Sequence, residues 1–252
     1  AFMDRELFIQ PSVRIRNLEK KLLTKSQFER LYEADDLQDS IRHLNETVYS
    51  EDLAKIDRPE NFEVALSNSL NRTYNEALSL CPIKELVDVL TYRFAFHNIK
   101  VAVKEKILQE DFEHIYSKVH YEDLDNLRKQ FETEKGEKGT WYEDTVIQAY
   151  KTFEETKDPE KIEFFIDKRY FEKVLEISKK LELDLVEEYF RAMIDFVNIR
   201  TFIRCKRQEQ DISVLKEALI QGGYIDIDDI SSYFYKEIQD LVDAYKNSKI
   251  GK

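Results

Sequence analysis

An all-α fold is what this sequence predicts, and three observations carry the prediction. Only 5 glycines and 4 prolines are spread over 252 residues, too few turn formers for a β-rich chain. Charged residues make up 36% and apolar residues 42%, and the two kinds recur at helical spacing. No stretch reads as a convincing strand. About a dozen helices with short connections are expected.

Taken in order, 12–23 reads as a first helix with Val13, Leu18, Leu22 and Leu23 inward, and Ser26 starts a second with Phe28 and Leu31. Asp35 is the expected cap of the next, with Gln38 as its capping-box partner ahead of Ile41 and Leu44. Pro59 opens a helix through Phe62, Leu66, Leu70, Tyr74 and Leu78. Pro82, whose missing N–H is harmless at a helix start, opens a long one to about Leu108. Its apolar surface, from Leu86 to Val103, is wide enough to imply burial on more than one side.

Two short helical pieces are expected over 110–132, then a linker at Gly136-Glu137-Lys138-Gly139 and a helix from Trp141 to about Thr156. Asp158-Pro159-Glu160 is a strong helix start: a cap, a proline in the first turn, and an acid at the positive dipole end. Helices follow over 169–181, 185–206 and 213–220, the last stopped by Gly222-Gly223, and Asp226 begins the final one or two.

The 51 acidic and 39 basic side chains leave a formal net charge of -12. That argues against nucleic acid as the main partner, which needs a basic surface. Two cysteines, Cys81 and Cys205, are expected to be reduced thiols. Phe2-Met3-Asp4-Arg5-Glu6 is charged where a leader's apolar core would begin, and Ala1-Phe2 reads as an expression remnant. No apolar run of about 18 residues exists to span a membrane.

One self-similarity outweighs any single motif. Phe96-His97-Asn98-Ile99-Lys100 resembles Phe196-Val197-Asn198-Ile199-Arg200, and Val103-Lys104 corresponds to Ile203-Arg204, at an offset of 100 residues. Both copies lie near the end of a long apolar helix. The reading is a helical module used at least twice, over 1–109 and 110–207, with 208–252 as the start of an incomplete third. Ile99 and Ile199 belong to the core stripe, and Asn98 and Asn198 are placed to bond a neighbouring carbonyl. Lys100/Lys104 and Arg200/Arg204 are i,i+4 pairs, so each makes one basic edge on its helix. Arg93 and His97 extend the first edge and Arg207 the second. These six cations, Arg93, Lys100, Lys104, Arg200, Arg204 and Arg207, are the candidate partner-facing residues.

No catalytic, cofactor or metal site stands out. Gly222-Gly223 lacks the Lys-Ser/Thr of a phosphate loop. His114 and His120, near Glu110, Glu113 and Glu122, are six apart, unlike zinc ligands on one helix face. Paired acids such as Asp35-Asp36 and Glu187-Glu188 are adjacent in sequence and point apart, so a hydrolase acting through them is disfavoured.

Val13-Arg14-Ile15-Arg16-Asn17-Leu18-Glu19 with Leu22-Leu23 and Phe28, then Thr47-Val48-Tyr49 and the Phe96–Lys100 helix, carry a family resemblance. Asp158-Pro159 with Asp167-Lys168-Arg169-Tyr170-Phe171, the 198–207 helix and Gly222-Gly223 complete it. Through them the chain resembles the C-subunit of V/A-type ATPases (ATP synthases), the family of the vacuolar d-subunit. The resemblance implies three modules about a pseudo-threefold axis, forming a funnel. The mouth would receive the central shaft, the D/F pair, and the other face would rest on the membrane rotor ring of proteolipids. The implied role is a non-catalytic, cytoplasmic, peripheral coupler of ATP turnover to proton or sodium transport, without a cofactor. The alternative is a generic helical scaffold unrelated to a motor, but such scaffolds repeat at about 34–47 residues.

Overall fold

A computed structural model describes residues 5–119, 124–136, 138–140 and 142–246 of the chain. Among these residues the protein is all-helical, with no strand. The α-helices are α1 (Ile9–Glu19), α2 (Lys25–Tyr32), α3 (Leu37–Leu44), α4 (Ser50–Leu53), α5 (Phe62–Leu80), α6 (Lys84–Leu108), α7 (Leu124–Thr133), α8 (Glu143–Thr156), α9 (Pro159–Leu181), α10 (Asp184–Arg207), α11 (Ile212–Ala218), α12 (Ile227–Ser232) and α13 (Ile238–Tyr245). Short 3-10 turns precede α1 and α5 and cover Glu113–Ile115.

Side-chain caps fix many of the starts. Asp158, Asp211 and Asp226 accept from backbone N–H groups of the first turns of α9, α11 and α12. The α3 cap is Asp36 and not Asp35: Asp36 has the extended backbone of a cap, and its carboxylate accepts from the Asp39 N–H. The reciprocal box falls one helix earlier, at Thr24 and Gln27. The stretch from Pro159 to Leu181 is one helix without a break. Trp141 lies outside the described residues, and α8 is described from Glu143. The glycine pair does not end α11, which stops at Ala218; it forms the following turn, with Gly222 at φ +105°. Both long helices are followed by a non-glycine residue in the left-handed region, Gln109 (φ 53°) and Glu209 (φ 52°), again 100 positions apart.

The chain divides into two compact units by packing. The first holds residues 5–91 with 117–119. Its core is small, made of Leu53, Ala65, Val87, Val89 and Val119. Buried Asp52 is held at 2.8 Å by Arg72, which also reaches Glu51. No residue of α1, α2 or α3 is buried. The expected inward residues Val13, Leu22 and Phe28 are exposed, at 59%, 69% and 57%.

The second unit holds 92–116 and the described residues from 124 onward, and it has two cores. One gathers Phe96, Ile99, Ala102 and Val103 of α6 with Leu127, Phe131, Val146, Ile162 and Ile166 from α7, α8 and α9. The other gathers Phe202 and Cys205 of α10 with Leu215, Leu219, Ile230, Phe234 and Leu241. Division by packing, at 91/92, and division by internal likeness, at 109/110 and 207/208, are different partitions.

Candidate partner-binding surface

The two basic edges lie on α6 and α10, and their surroundings differ. On α6, Lys100 pairs with Asp167 at 2.5 Å and Lys104 with Glu163 at 2.7 Å, both acids belonging to α9. Glu163, Asp167 and Tyr170 share one face of α9 at i, i+4 and i+7. The Tyr170 ring meets Phe96 with centroids 5.5 Å apart. Arg93 is exposed and lays its guanidinium over the Phe94 ring, 4.4 Å from the centroid. His97 Nε2 lies 2.9 Å from the Ile115 carbonyl oxygen. Lys100 and Lys104, offered by the sequence as partner-facing, are therefore occupied inside the fold.

On α10 the same positions are open. Phe196 is 62% exposed, where Phe96 is 3%. Ile199 and Ile203 are half-buried, where Ile99 and Val103 are buried. Together with Phe196 they floor a groove of about 430 Å³ bordered by Arg200, Arg204, Arg207 and Gln208. All three arginines are exposed, and among the described residues no carboxylate pairs with them. Leu185, Tyr189 and Met193 carry the exposed strip toward the start of α10. An apolar floor with a guanidinium border suits a helix presenting apolar residues flanked by carboxylates, since guanidinium matches carboxylate in two-point geometry.

The buried side of α10 is pinned by polar groups. Asn198 Nδ2–H donates to the Ile220 carbonyl at 2.8 Å, and the Ile220 N–H donates back to Asn198 Oδ1 at 2.9 Å. That is the carbonyl bond the sequence suggested; Asn98 is buried too. Sequence reasoning missed Asp195, fully buried one turn earlier, which accepts from the N–H groups of Tyr224 at 2.9 Å and Ile225 at 3.1 Å. Burial raises its pKa above the ordinary aspartate value, against the pull of those two donors and of Arg191. Gly223 sits against it: a Cβ there would lie 2.1 Å from Asp195 Oδ1. The second glycine of the pair was the available signal.

The α6 module has its own missed carboxylate, Glu105. Arg128 donates to it twice, at 2.8 and 2.9 Å, the Tyr116 O–H donates at 2.6 Å and the Phe112 N–H at 3.0 Å. Burial pushes this carboxyl up, but the donors outweigh burial and hold it below the ordinary glutamate value. Glu105 ties the segment after α6 to α7 and is structural. Of the histidine-acid group considered as a metal site, His120 and Glu122 lie outside the described residues.

The profile of the ATP synthase (C/AC39) subunit family matches residues 11–252. This chain belongs to that family. The C-subunit of the V-type sodium ATPase of Enterococcus hirae is 24% identical to it over 231 residues, 91% of this chain and 70% of that protein. The C-subunit of the A-type ATP synthase of Desulfurococcus sp. is 28% identical over 86% of this chain and 62% of that protein. For its counterpart in Thermococcus onnurineus the figures are 27%, 87% and 63%. The chain thus spans between about six- and seven-tenths of the length of these relatives. Membership sets aside a helical scaffold unrelated to such ATPases. Among the described residues no helix is long and apolar enough to cross a membrane.

Proposed function

We propose that this protein is the non-catalytic socket of the central stalk in a rotary V/A-type ATPase. It couples the D/F shaft of the soluble head to the membrane rotor ring, and so couples ATP turnover to proton or sodium transport. It works on the cytoplasmic side, held to the membrane only through the ring. Its modules, 1–109, 110–207 and the beginning of a third over 208–252, stand around a pseudo-threefold axis in this reading. Support comes from family membership, from the repeated Phe-x-Asn-Ile-base motif, and from Gln109 and Glu209 at matching helix ends.

The observation that carries the partner role is the open edge of α10. Three exposed arginines, with no carboxylate pairing them among the described residues, border an apolar groove on the surface of an acidic protein. A coupler also has to be stiff between its contacts, which densely packed helices provide, and must hold partners over interfaces of about 1,200 Å² or more. Charge complementarity would set orientation, and Phe196 with its apolar neighbours would supply affinity.

The test is capture of purified D/F shaft by the immobilised protein. Arg200→Glu with Arg204→Glu is expected to weaken capture at least tenfold while leaving the helical circular dichroism unchanged. Shaft affinity unchanged in that variant rejects this edge as the docking surface.

A further inference from the structure

The inner stripe of α10 meets a single segment of the chain. Arg191, Asp195, Asn198, Phe202 and Lys206 recur at i, i+4, i+7, i+11 and i+15, so they share one side of the helix over about 22 Å. All five reach into residues 220–236: the turn after α11, then α12 and the turn that follows it. Arg191 Nη2–H donates to the Gly223 carbonyl at 3.2 Å. Asp195 and Asn198 hold the backbone groups of Tyr224, Ile225 and Ile220. The Phe202 ring stands edge-on to Phe234, with centroids 6.0 Å apart. At the far end the Lys206 ammonium donates to the Phe234 carbonyl at 2.6 Å and to the Lys236 carbonyl, and it lies 5.8 Å from the centroids of both phenylalanine rings.

This seam differs from ordinary helix packing in what it grips. Its polar members bind backbone, so the segment is held whatever side chains it shows to solvent. Lys206 is an ammonium, whose bonds to carbonyls are stronger than those between neutral groups. Between the two tied ends, Ile225, Ile230 and Phe234 enter one core with Phe202 and Leu215, so freeing either end uncovers the same apolar cluster. The core around α6, with Val146, Ile162 and Ile166, is separate from it. The hardware recurs 100 residues earlier. Lys106 donates to the Glu132 carbonyl near the end of α7 at 3.3 Å and lies 5.9 Å from the Tyr150 ring, and Asn98 is buried eight residues before it, as Asn198 is before Lys206.

We infer that residues 220–236 form a strap that α10 holds by its backbone, with Asp195 as the latch at one end and Lys206 as the latch at the other, and that the strap opens as one body while the core around α6 stays closed. The repeat boundary at 207/208 then cuts through a cooperative body rather than between two. The seam is the joint that passes a displacement of α10 into the helices after it, and it holds whether or not the outer edge of α10 docks a partner.

Hydrogen exchange of the whole native protein, read by mass spectrometry on peptides covering 220–226, 228–240 and 143–156, tests this. Lys206→Met keeps the stem and deletes the ammonium; Asp195→Ala frees the opposite end. Each is expected to speed exchange at least tenfold in both strap peptides and to leave 143–156, in α8, unchanged. Acceleration confined to the peptide beside the substituted residue overturns the inference, as does none at all or an equal rise in 143–156. Should Asp195→Ala fail to fold, Lys206→Met decides alone, since its contacts lie at one end of the strap and 220–226 at the other.

Discussion

Helices α6 and α10 carry the same five-residue signature and end in different company. On α6 the phenylalanine is buried, the isoleucine is 1% exposed, and both lysines are neutralised by Asp167 and Glu163. On α10 the phenylalanine stands in solvent and the exposed arginines pair with no carboxylate among the described residues. A repeated motif therefore fixes which side chains share a helix face, while the neighbouring helix decides whether that face is core or interface. Surface charge has to be judged by what lies across from it, because exposed pairs contribute little to stability and unpaired borders are free to select partners.

The sharpest way to break this comparison is at the matched isoleucines. Ile99→Ala should destabilise by about 3 kcal/mol, the range for a buried large-to-small change, and Ile199→Ala by only about 1 kcal/mol. Urea unfolding of the two variants reads the difference; equal costs would mean the two faces are equally packed.

Asp195→Ala gives α10 the residue that α6 carries at the corresponding position, Ala95. It leaves the part-buried N–H of Tyr224 and the buried N–H of Ile225 without their acceptor and should cost roughly 2–3 kcal/mol. An effect below about 0.5 kcal/mol in the same assay would show that the turn after α11 does not depend on this carboxylate.

Charge removal should matter much less for folding. Lys104→Ala breaks a half-exposed ion pair and should cost less than about 1 kcal/mol, and Arg204→Ala, with no carboxylate partner among the described residues, should cost close to nothing. Thermal melts of both variants test this. A larger loss in Arg204→Ala would reveal an internal role for the open edge.

Half-buried Glu105 and buried Asp195 should also bend the pH profile in opposite senses. Glu105 has a folded pKa below its unfolded value of 4.5, so its contribution is present above pH 4.5 and is lost as pH falls through the folded value. Asp195 has a folded pKa above 3.8, so its contribution is greatest below that value and is lost as pH rises through the folded one. Glu105→Gln should flatten the acid-side loss of stability measured between about pH 3 and 6, and Asp195→Asn should not.

Much of the architecture was legible from local signals. Asp158-Pro159 announces α9, the wide apolar surface announces buried α6, and the offset of 100 relates Asn98 to Asn198. The basic edges were legible as edges, because i,i+4 spacing sets them. Which edge is open was not, since Glu163 and Asp167 lie about sixty residues from the lysines they meet, in a chain with 51 acids to choose from. Val13, Leu22 and Phe28 misled for a related reason: helical apolar spacing looks the same whether it serves a core or a surface awaiting contact. Asp195 gave no local sign of burial, and its donors come from a turn some thirty residues on.

The close seat of Gly223 on Asp195 has a consequence for how this chain can change over generations. Any side chain at 223 would push into the carboxylate, and a longer acid at 195 would push into the glycine backbone. The two positions can drift only in tandem, as Asp with Gly or as a shorter residue with one that gains a methyl group. A survey of divergent sequences should find them substituted together far more often than either alone, and a lone alanine at 223 should be rescued by serine at 195.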